Sequence, residues 1–449
     1  MKRSITLLLG LLLGIGSLSA QETELNPLDT LTSHVAGIRQ ELDVLKRLKL
    51  SGYVQAQFQV ADSAGESSFE GGNFPSGVDK RFQIRRGRIK AQYDGVPNDK
   101  GWSTTQVVIQ FDLSERGLRL MDGYIKITDP YTGWFSLTTG LQNRPFGYEV
   151  IYSSSLRESP ERGRMSQLIF PNERDLGAML TIQGPKLSNW NWLKLEAGLF
   201  NGTGAPNPNL DVTDFDKKKD FIGHITFART NTAETFKYSG GISYYNGGYR
   251  IDTLMYAMST DSLGVKGFRQ SNAMTDIPTA LVNRDFTHRE YYGADLQLSL
   301  VWKAGITVLR GEYIQGDQPG LGSDTKSPNT NSPVLKPIYN RKFNGAYFYL
   351  CQGIGHTPFS AVIKYDWYDP NTDVKGDEIG KATANGLKTT NATDLRFDTW
   401  GFGAAWRMDA NTRISAYFDL VKNETSKNLN LYTVDQHDNV FTLRVQTRF

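Results

Sequence analysis

The chain has 449 residues, 39% of them apolar, with 50 Lys and Arg against 47 Asp and Glu, five His and one Cys. A formal charge of +3 without a polybasic run excludes a polyanion binder that works through bulk charge, so nucleic acid is not an expected partner. The lone Cys351 excludes an internal disulfide and a multi-Cys metal site; with only five His, neither a metal nor another cofactor is expected.

At the N-terminus, Lys2 and Arg3 precede an apolar stretch that ends in Gly16, Ser17, Leu18, Ser19 and Ala20. This order predicts a secretory signal peptide over residues 1–20, because the apolar core is too short to span a bilayer as an anchor. Its removal takes two basic residues and leaves 48 cations against 47 anions, a mature charge of +1. Residues 21–48 then predict a periplasmic helix. Asn26 can cap it and Pro27 suits its first turn, while Leu28, Leu31, Val35, Ile38, Leu42 and Leu45 follow the spacing of a coiled-coil seam. Glu41 and Lys46 fall where neighbouring helices can pair, and a seam this short needs its chains tethered elsewhere. A single amphipathic helix lying on the rest of the protein is the alternative.

From Lys49 to Phe449 the apolar period changes to two. Leu50, Gly52, Val54, Ala56, Phe58 and Val60 alternate with polar residues, as do Phe441, Leu443, Val445, Thr447 and Phe449 at the other end. Similar stretches lie near 81–93, 102–113, 118–129, 134–142, 175–184, 191–201, 220–229, 235–246, 288–300, 305–316, 341–353, 359–369, 395–408 and 412–423, sixteen in all with the first and last. Many reach the ~10 residues that a tilted strand needs to cross a membrane. Their connections alternate between long (61–80, 143–174, 202–219, 247–287, 317–340, 370–394) and short, with 114–117 the one exception. Aromatics cluster at strand ends (Trp134, Tyr244, Tyr245, Tyr291, Tyr292, Trp367, Tyr368 and Trp406), as interfacial girdles require. The expected fold class is all-β: a transmembrane antiparallel barrel of sixteen strands over 49–449, in contact with lipid of the bacterial outer membrane. Only every second residue of such a wall faces lipid, which explains why no window is uniformly apolar.

A sixteen-stranded barrel is wide enough for an aqueous channel. Arg86, Arg88 and Lys90 share one face of the second strand and must point to water, since a cation at the lipid midplane costs ~2–4 kcal/mol. By the same parity Asp122, Tyr124 and Lys126 face inward, as do Lys194 and Glu196, Arg310 and Glu312, Lys364 and Asp366, and Arg444 and Arg448. The connection 143–174 interleaves Arg144, Arg157, Arg162, Arg164 and Arg174 with Glu149, Glu158, Glu161 and Glu173. Folded into the lumen it would narrow the pore with charges. Guanidinium forks suit oxyanions; the same pairs can equally brace the loop against the wall.

Other constellations carry less. The run Asp369-Pro-Asn-Thr-Asp-Val-Lys-Gly-Asp-Glu378 misplaces the glycine of a calcium loop, and Asp211, Asp214, Asp216 and Asp220 stand beside Lys217-Lys218-Lys219. His34, His224, His288, His356 and His437 and the pair Ser154-Ser155 make no linear catalytic motif, so enzyme activity is not expected.

Several stretches resemble the phosphate-selective porins of the O and P type, in the form seen in Bacteroidetes-like members. They are Arg81-Phe-Gln-Ile-Arg-Arg-Gly-Arg-Ile-Lys90, Asp122-Gly-Tyr124, Leu141-Gln-Asn-Arg-Pro-Phe-Gly147, Glu173-Arg-Asp-Leu-Gly177, Leu199-Phe-Asn-Gly202, Tyr291-Tyr-Gly-Ala-Asp-Leu-Gln297, Gly311-Glu-Tyr313 and Tyr365-Asp-Trp-Tyr-Asp-Pro370. The resemblance spans 48–449 and implies a homotrimer, each barrel carrying a column of Arg and Lys that passes small anions such as phosphate. Arg86, Arg88, Lys90 and Lys126 would stand on that column, with Arg157, Arg162, Arg164 and Arg174 on the constriction loop. The many acidic neighbours dilute such a field. The expected function is therefore passive diffusion of small hydrophilic solutes with an anion preference. The alternatives are a general or sugar-selective porin, which needs an aromatic track from residues such as Tyr53, Tyr124, Tyr291 and Tyr417, and a surface adhesin or partner-binding barrel.

Overall fold

Alternation of apolar and polar side chains is satisfied only where one strand face is dry and the other wet, and the chain folds accordingly into a closed antiparallel barrel of 16 strands. The computed structural model describes residues 27–115, 117–171, 173–205, 214–273, 286–327, 336–384 and 386–449. The expected signal peptide, Asn26 and Asp211 lie outside the described residues.

The chain divides into two compact units at Leu48. In the first, helix α1 (Pro27–Arg47) ends on Lys46 and Arg47, cations suited to a helix C-terminus. Its Val35, Ile38, Leu42 and Leu45 are exposed.

The second unit contains β1 (Leu48–Ala61), β2 (Lys80–Asp94), β3 (Thr105–Ser114), β4 (Gly117–Thr128), β5 (Phe135–Asn143), β6 (Arg174–Gln183), β7 (Leu193–Phe200), β8 (Asp220–Thr230) and β9 (Phe236–Arg250). A hairpin follows, β10 (Leu254–Thr260) and β11 (Lys266–Ala273), and then β12 (Phe286–Trp302), β13 (Gly305–Gly320), β14 (Ile338–Gly353), β15 (Phe359–Asp369), β16 (Phe397–Arg407), β17 (Thr412–Asn423) and β18 (Val440–Arg448). The ring closes because β1 pairs with both β2 and β18, the latter from Tyr53 opposite Arg448 to Ala61 opposite Val440. Gly52 and Phe449 continue that ladder by exchanging both backbone hydrogen bonds, at 2.9 and 3.0 Å. Closure pairs every strand of the ring on both sides, as a membrane requires, except where the top of β2 rises above β3.

All sixteen expected strands form, with ends shifted by a few residues. The β10–β11 hairpin falls inside the stretch read as the loop 247–287. It stands outside the ring: β9 pairs directly with β12, while β10 runs parallel to β14 over only Met255–Ala257. Its strands have seven and eight residues.

Ile89, Ile109, Ile125, Leu137, Leu309 and Ile363 are exposed on the outward face, while Gln55, Gln57, Gln59, Arg86 and Arg88 are buried within. Aromatic pairs such as Tyr244–Tyr292, Tyr365–Trp400 and Phe359–Trp406 border the apolar band. The girdle expectation is corrected at three positions. Tyr245, Tyr291 and Tyr368 are one residue out of phase with Tyr244, Tyr292 and Trp367, so they point inward and are buried.

The wall is low at one place. The β2–β3 ladder begins only at Arg88 opposite Asp112, so residues 80–87 of β2 rise beyond the top of β3. Glu115, in the short β3–β4 link, accepts the Ile84 N–H at 3.0 Å, and Asp112 accepts that of Gly87 at 3.1 Å.

Candidate functional site in the barrel lumen

The connection between β5 and β6 turns inward at Arg144-Pro145-Phe146-Gly147. Gly147 has φ +61°, and a Cβ there would collide with Glu312 Oε1. With no side chain in the way, Glu312 Oε2 accepts the N–H groups of Tyr148 (3.2 Å) and Glu149 (3.0 Å), while Ser243 Oγ accepts that of Gly147 (2.9 Å). Gly147→Ala is expected to destabilise the loop by roughly 1–2 kcal/mol through the left-handed backbone alone, before any clash with Glu312. Faster amide exchange over residues 147–170 would register it.

Beyond this turn the loop is two-sided. Phe146, Val150, Met165, Leu168, Ile169 and Phe170 form one apolar core with Tyr245, Tyr291, Phe343 and Tyr368 of the wall. Phe146 and Phe170 lie 5.0 Å apart, and Phe170 meets Tyr291 edge-on at 5.8 Å. Helix α2 (Arg164–Ile169) buries Met165, Leu168 and Ile169 in this core. The other side of the loop is polar and meets β1, β2, β17 and β18. Tyr53 OH lies 2.5 Å from Ser154 Oγ, Gln446 donates to the Ser155 carbonyl at 2.8 Å, and Arg413 donates to the Arg157 carbonyl at 2.8 Å.

The strongest anchor is Glu161. Its carboxylate takes forked hydrogen bonds from Arg85 (2.7 and 3.0 Å) and Arg86 (3.1 and 2.6 Å) and one from Arg444 at 3.2 Å. Burial alone would raise the Glu161 carboxyl, but Arg85, Arg86 and Arg444 outweigh it and hold it well below the usual range. Two adjacent arginines reach one carboxylate because the outward positions of β2 shift from even (Phe82, Ile84) to odd (Ile89, Tyr93) between them. Arg85 escaped the sequence reading for this reason, although the change of parity is itself visible in the apolar positions.

The loop cations are placed as follows. Arg162 pairs with Glu173 at 3.2 Å, and Arg157 donates to the Tyr152 carbonyl at 3.3 Å. Arg164 stacks over Phe397 (3.7 Å) and Phe69 (4.4 Å) beside Asp438 at 4.0 Å. Arg310 pairs with Glu158 at 2.8 Å. Arg86, Arg162 and Arg164 thus brace the loop, whereas Arg157 bonds within it and keeps its buried Nε and Nη1 without a hydrogen-bond partner among the described residues.

Between the loop segment Val150–Ser155 and the β2–β7 wall lies a cavity of about 660 Å³. Its basic lining residues are Arg88, Lys90, Lys126, Arg174, Lys194 and Arg448, against the acidic Asp122, Glu173 and Glu196. Arg88 pairs with Asp112 (3.2 Å), Arg174 with Asp122 (3.0 Å) and Glu173, and Lys194 with Glu196 (2.9 Å). Lys90 and Lys126 form no ion pair among the described residues. They flank Gln106 and Gln110 of β3, facing open space rather than a carboxylate. Of the four tyrosines that could build an aromatic track, Tyr53 and Tyr124 line the cavity, whereas Tyr291 and Tyr417 are packed into cores.

A second titratable feature lies in the 61–80 loop. Glu70 is 6% exposed, and burial, helped by Glu161 and Asp366, pushes its carboxyl up to about 7 against the pull of Lys364 and Arg444. A carboxyl raised above its unfolded range of ~4.3 favours the folded state when neutral, and the cost of ionising it grows from there to about pH 7. Glu70→Gln is therefore expected to stabilise this loop above pH 7 and to leave it unchanged below about pH 4. Amide exchange of residues 62–79 at the two pH values checks both halves.

No family model and no curated protein sequence matches the chain. Solved structures do match it in fold. The outer membrane channel DcaP of Acinetobacter baumannii is 12% identical, with a TM-score of 0.50 over 90% of this chain and 97% of that one. An anion-selective porin from Comamonas acidovorans is 10% identical, with a TM-score of 0.50 over 90% of this chain and 99% of that one. The chain therefore has the fold of Gram-negative outer-membrane porins, and its apolar outward band is that of a barrel seated in the outer membrane.

Proposed function

We propose that the protein is an outer-membrane porin through which small hydrophilic solutes diffuse passively, with a preference for small anions such as phosphate. One observation carries the preference: Lys90 and Lys126 face the cavity without an anionic partner among the described residues, while the acidic side chains there are already paired. Two modest cationic sites in series lower the entry cost for an anion and still let it leave. A sugar-selective channel is less well supported, because the candidate aromatic track is split between the cavity and packed cores. The test is reconstitution of purified protein into planar bilayers under a salt gradient. Ohmic conductance with an anion-selective reversal potential is expected, and a cation-selective potential would overturn the preference. Absence of conductance would favour a partner-binding barrel, a reading that rests on how the loop spans from one wall to the other.

The same proposal includes a homotrimer, with residues 1–20 removed on export and residues 21–48 forming a three-stranded coil. The low wall at β2–β4 supports it. Glu115 and the upper edge of β2 stand on the outward side, where hydrocarbon penalises charge and unsatisfied backbone, and a neighbouring barrel would cover them. The exposed apolar seam of α1 supports it independently.

A further inference from the structure

We propose that His288, Glu290 and Asp317 form a divalent metal site of zinc type on the outer face of the barrel, at the loop end of β12 and β13. One ligand atom from each residue can be chosen so that all three lie within 4.8 Å of one another. His288 Nε2 lies 3.7 Å from Glu290 Oε2, and Nδ1 lies 3.6 Å from Asp317 Oδ2. One ion takes only one of these two ring nitrogens, and ligands bound at ~2.1 Å to a common tetrahedral ion stand ~3.4 Å apart, so closing the triad requires the imidazole to turn one nitrogen toward both carboxylates, with side-chain shifts of ~1–1.5 Å.

Three features beyond proximity point to a cation. First, Glu290 and Asp317 are direct cross-strand partners. Like charges opposite each other destabilise a sheet. One imidazole offers at most a single positive charge against two carboxylates, so the triad stays net negative in either protonation state. Second, Glu290 is aimed: Tyr244 and Tyr292 donate to its Oε1 at 2.6 and 2.9 Å, which leaves Oε2 directed toward His288. Metal-binding carboxylates are commonly held by such outer contacts. Third, the site is open. The His288 side chain is 53% accessible and stands four residues beyond Tyr292 along β12, on the loop side of the aromatic border. A nitrogen and two carboxylate oxygens suit zinc, and their exposure leaves a further coordination position for water or a phosphate oxygen of an outer-leaflet headgroup. The ion would also clip β12 to β13 just below where the long loops begin.

The test uses untagged full-length mature protein in detergent, titrated with ZnCl2, with CoCl2 as a spectroscopic probe. One tight zinc per chain is expected, together with visible cobalt absorption bands of low coordination number. His288→Ala and Asp317→Asn should each weaken zinc binding at least about tenfold, while His437→Ala, remote from the triad, should leave it unchanged. Wild-type protein that binds no stoichiometric zinc and shows only the spectrum of hydrated cobalt would overturn the site. So would zinc binding of equal strength in His288→Ala. The cobalt readout needs no variant, so a misfolded mutant does not decide the outcome, and neither readout depends on whether the barrel conducts.

Discussion

Glu161→Gln is expected to release the 143–174 loop from the β1–β2–β18 wall and to raise single-channel conductance, with larger current noise as the loop samples open positions. Glu161 is the shared counter-ion of Arg85, Arg86 and Arg444. Substitution leaves three guanidinium groups facing one another around a neutral amide. Removing one partner of a buried ion pair typically costs ~3–5 kcal/mol, because the other charge is left without compensation. Arg86→Gln should act in the same direction but more weakly, since Arg85 and Arg444 still hold the carboxylate. The apolar half of the loop, around Phe146 and Phe170, should stay docked. Amide exchange should therefore rise over residues 153–163 and much less over 165–170. Conductance and exchange both equal to wild type would show that the charge cluster does not hold the loop. The wild-type latch is also expected to persist through mild acid. A carboxyl held well below its usual range keeps its stabilising charge above that range and loses it only as pH falls through the lowered value. Conductance should then be flat between about pH 7 and pH 4.

The second large effect is expected from Lys90→Gln combined with Lys126→Gln. Each ammonium, at ~6 Å from a passing anion in water, contributes ~0.7 kcal/mol, or about threefold in local anion concentration. Together they should enrich anions about tenfold in the cavity and deplete cations by a similar factor, most strongly at low salt, where screening is weakest. The double variant should move the reversal potential toward zero at 0.1 M salt and change it little at 1 M. Arg86→Gln serves as the contrast. It shares Glu161 with Arg85 and Arg444 and lies outside the cavity lining, so its effect on selectivity is expected to be smaller than that of the lysine pair and to act mainly through loop position. An unchanged reversal potential in the double lysine variant would remove the electrostatic basis of the proposed anion preference.

These two tests separate residues that the sequence alone groups together. Arg86, Arg88 and Lys90 share one inward face by parity, and that face is inward in the fold. The roles then diverge: Arg86 is spent on Glu161, Arg88 on Asp112, and Lys90 alone meets open space. Which carboxylate answers which cation depends on a contact such as Arg444 to Glu161, separated by 283 positions along the chain. No local pattern encodes it.

By itself the sequence determined the barrel: period-two alternation, strand length, strand number and the inequality of loops at the two ends. These are local quantities. Each strand must present an apolar face to lipid whatever its neighbours do, so each carries its own signature. It also determined that β12 and β13 are strands, that Tyr291 faces inward by parity, and that Tyr245 and Tyr368 sit near strand ends, though not that their one-residue phase turns those two inward. The tertiary structure decided what the lumen contains. It folded 143–174 across the barrel, gave that loop an apolar side toward Tyr245 and Tyr291 and a charged side toward Arg86 and Arg444, and left Lys90 and Lys126 facing a 660 Å³ space. It likewise brought His288, Glu290 and Asp317 together across two strands. The physical reason is the same throughout. Hydrophobic periodicity reports the environment of one residue, whereas pairing, packing and free charge are properties of residues far apart in sequence, and closure of the barrel alone makes them neighbours.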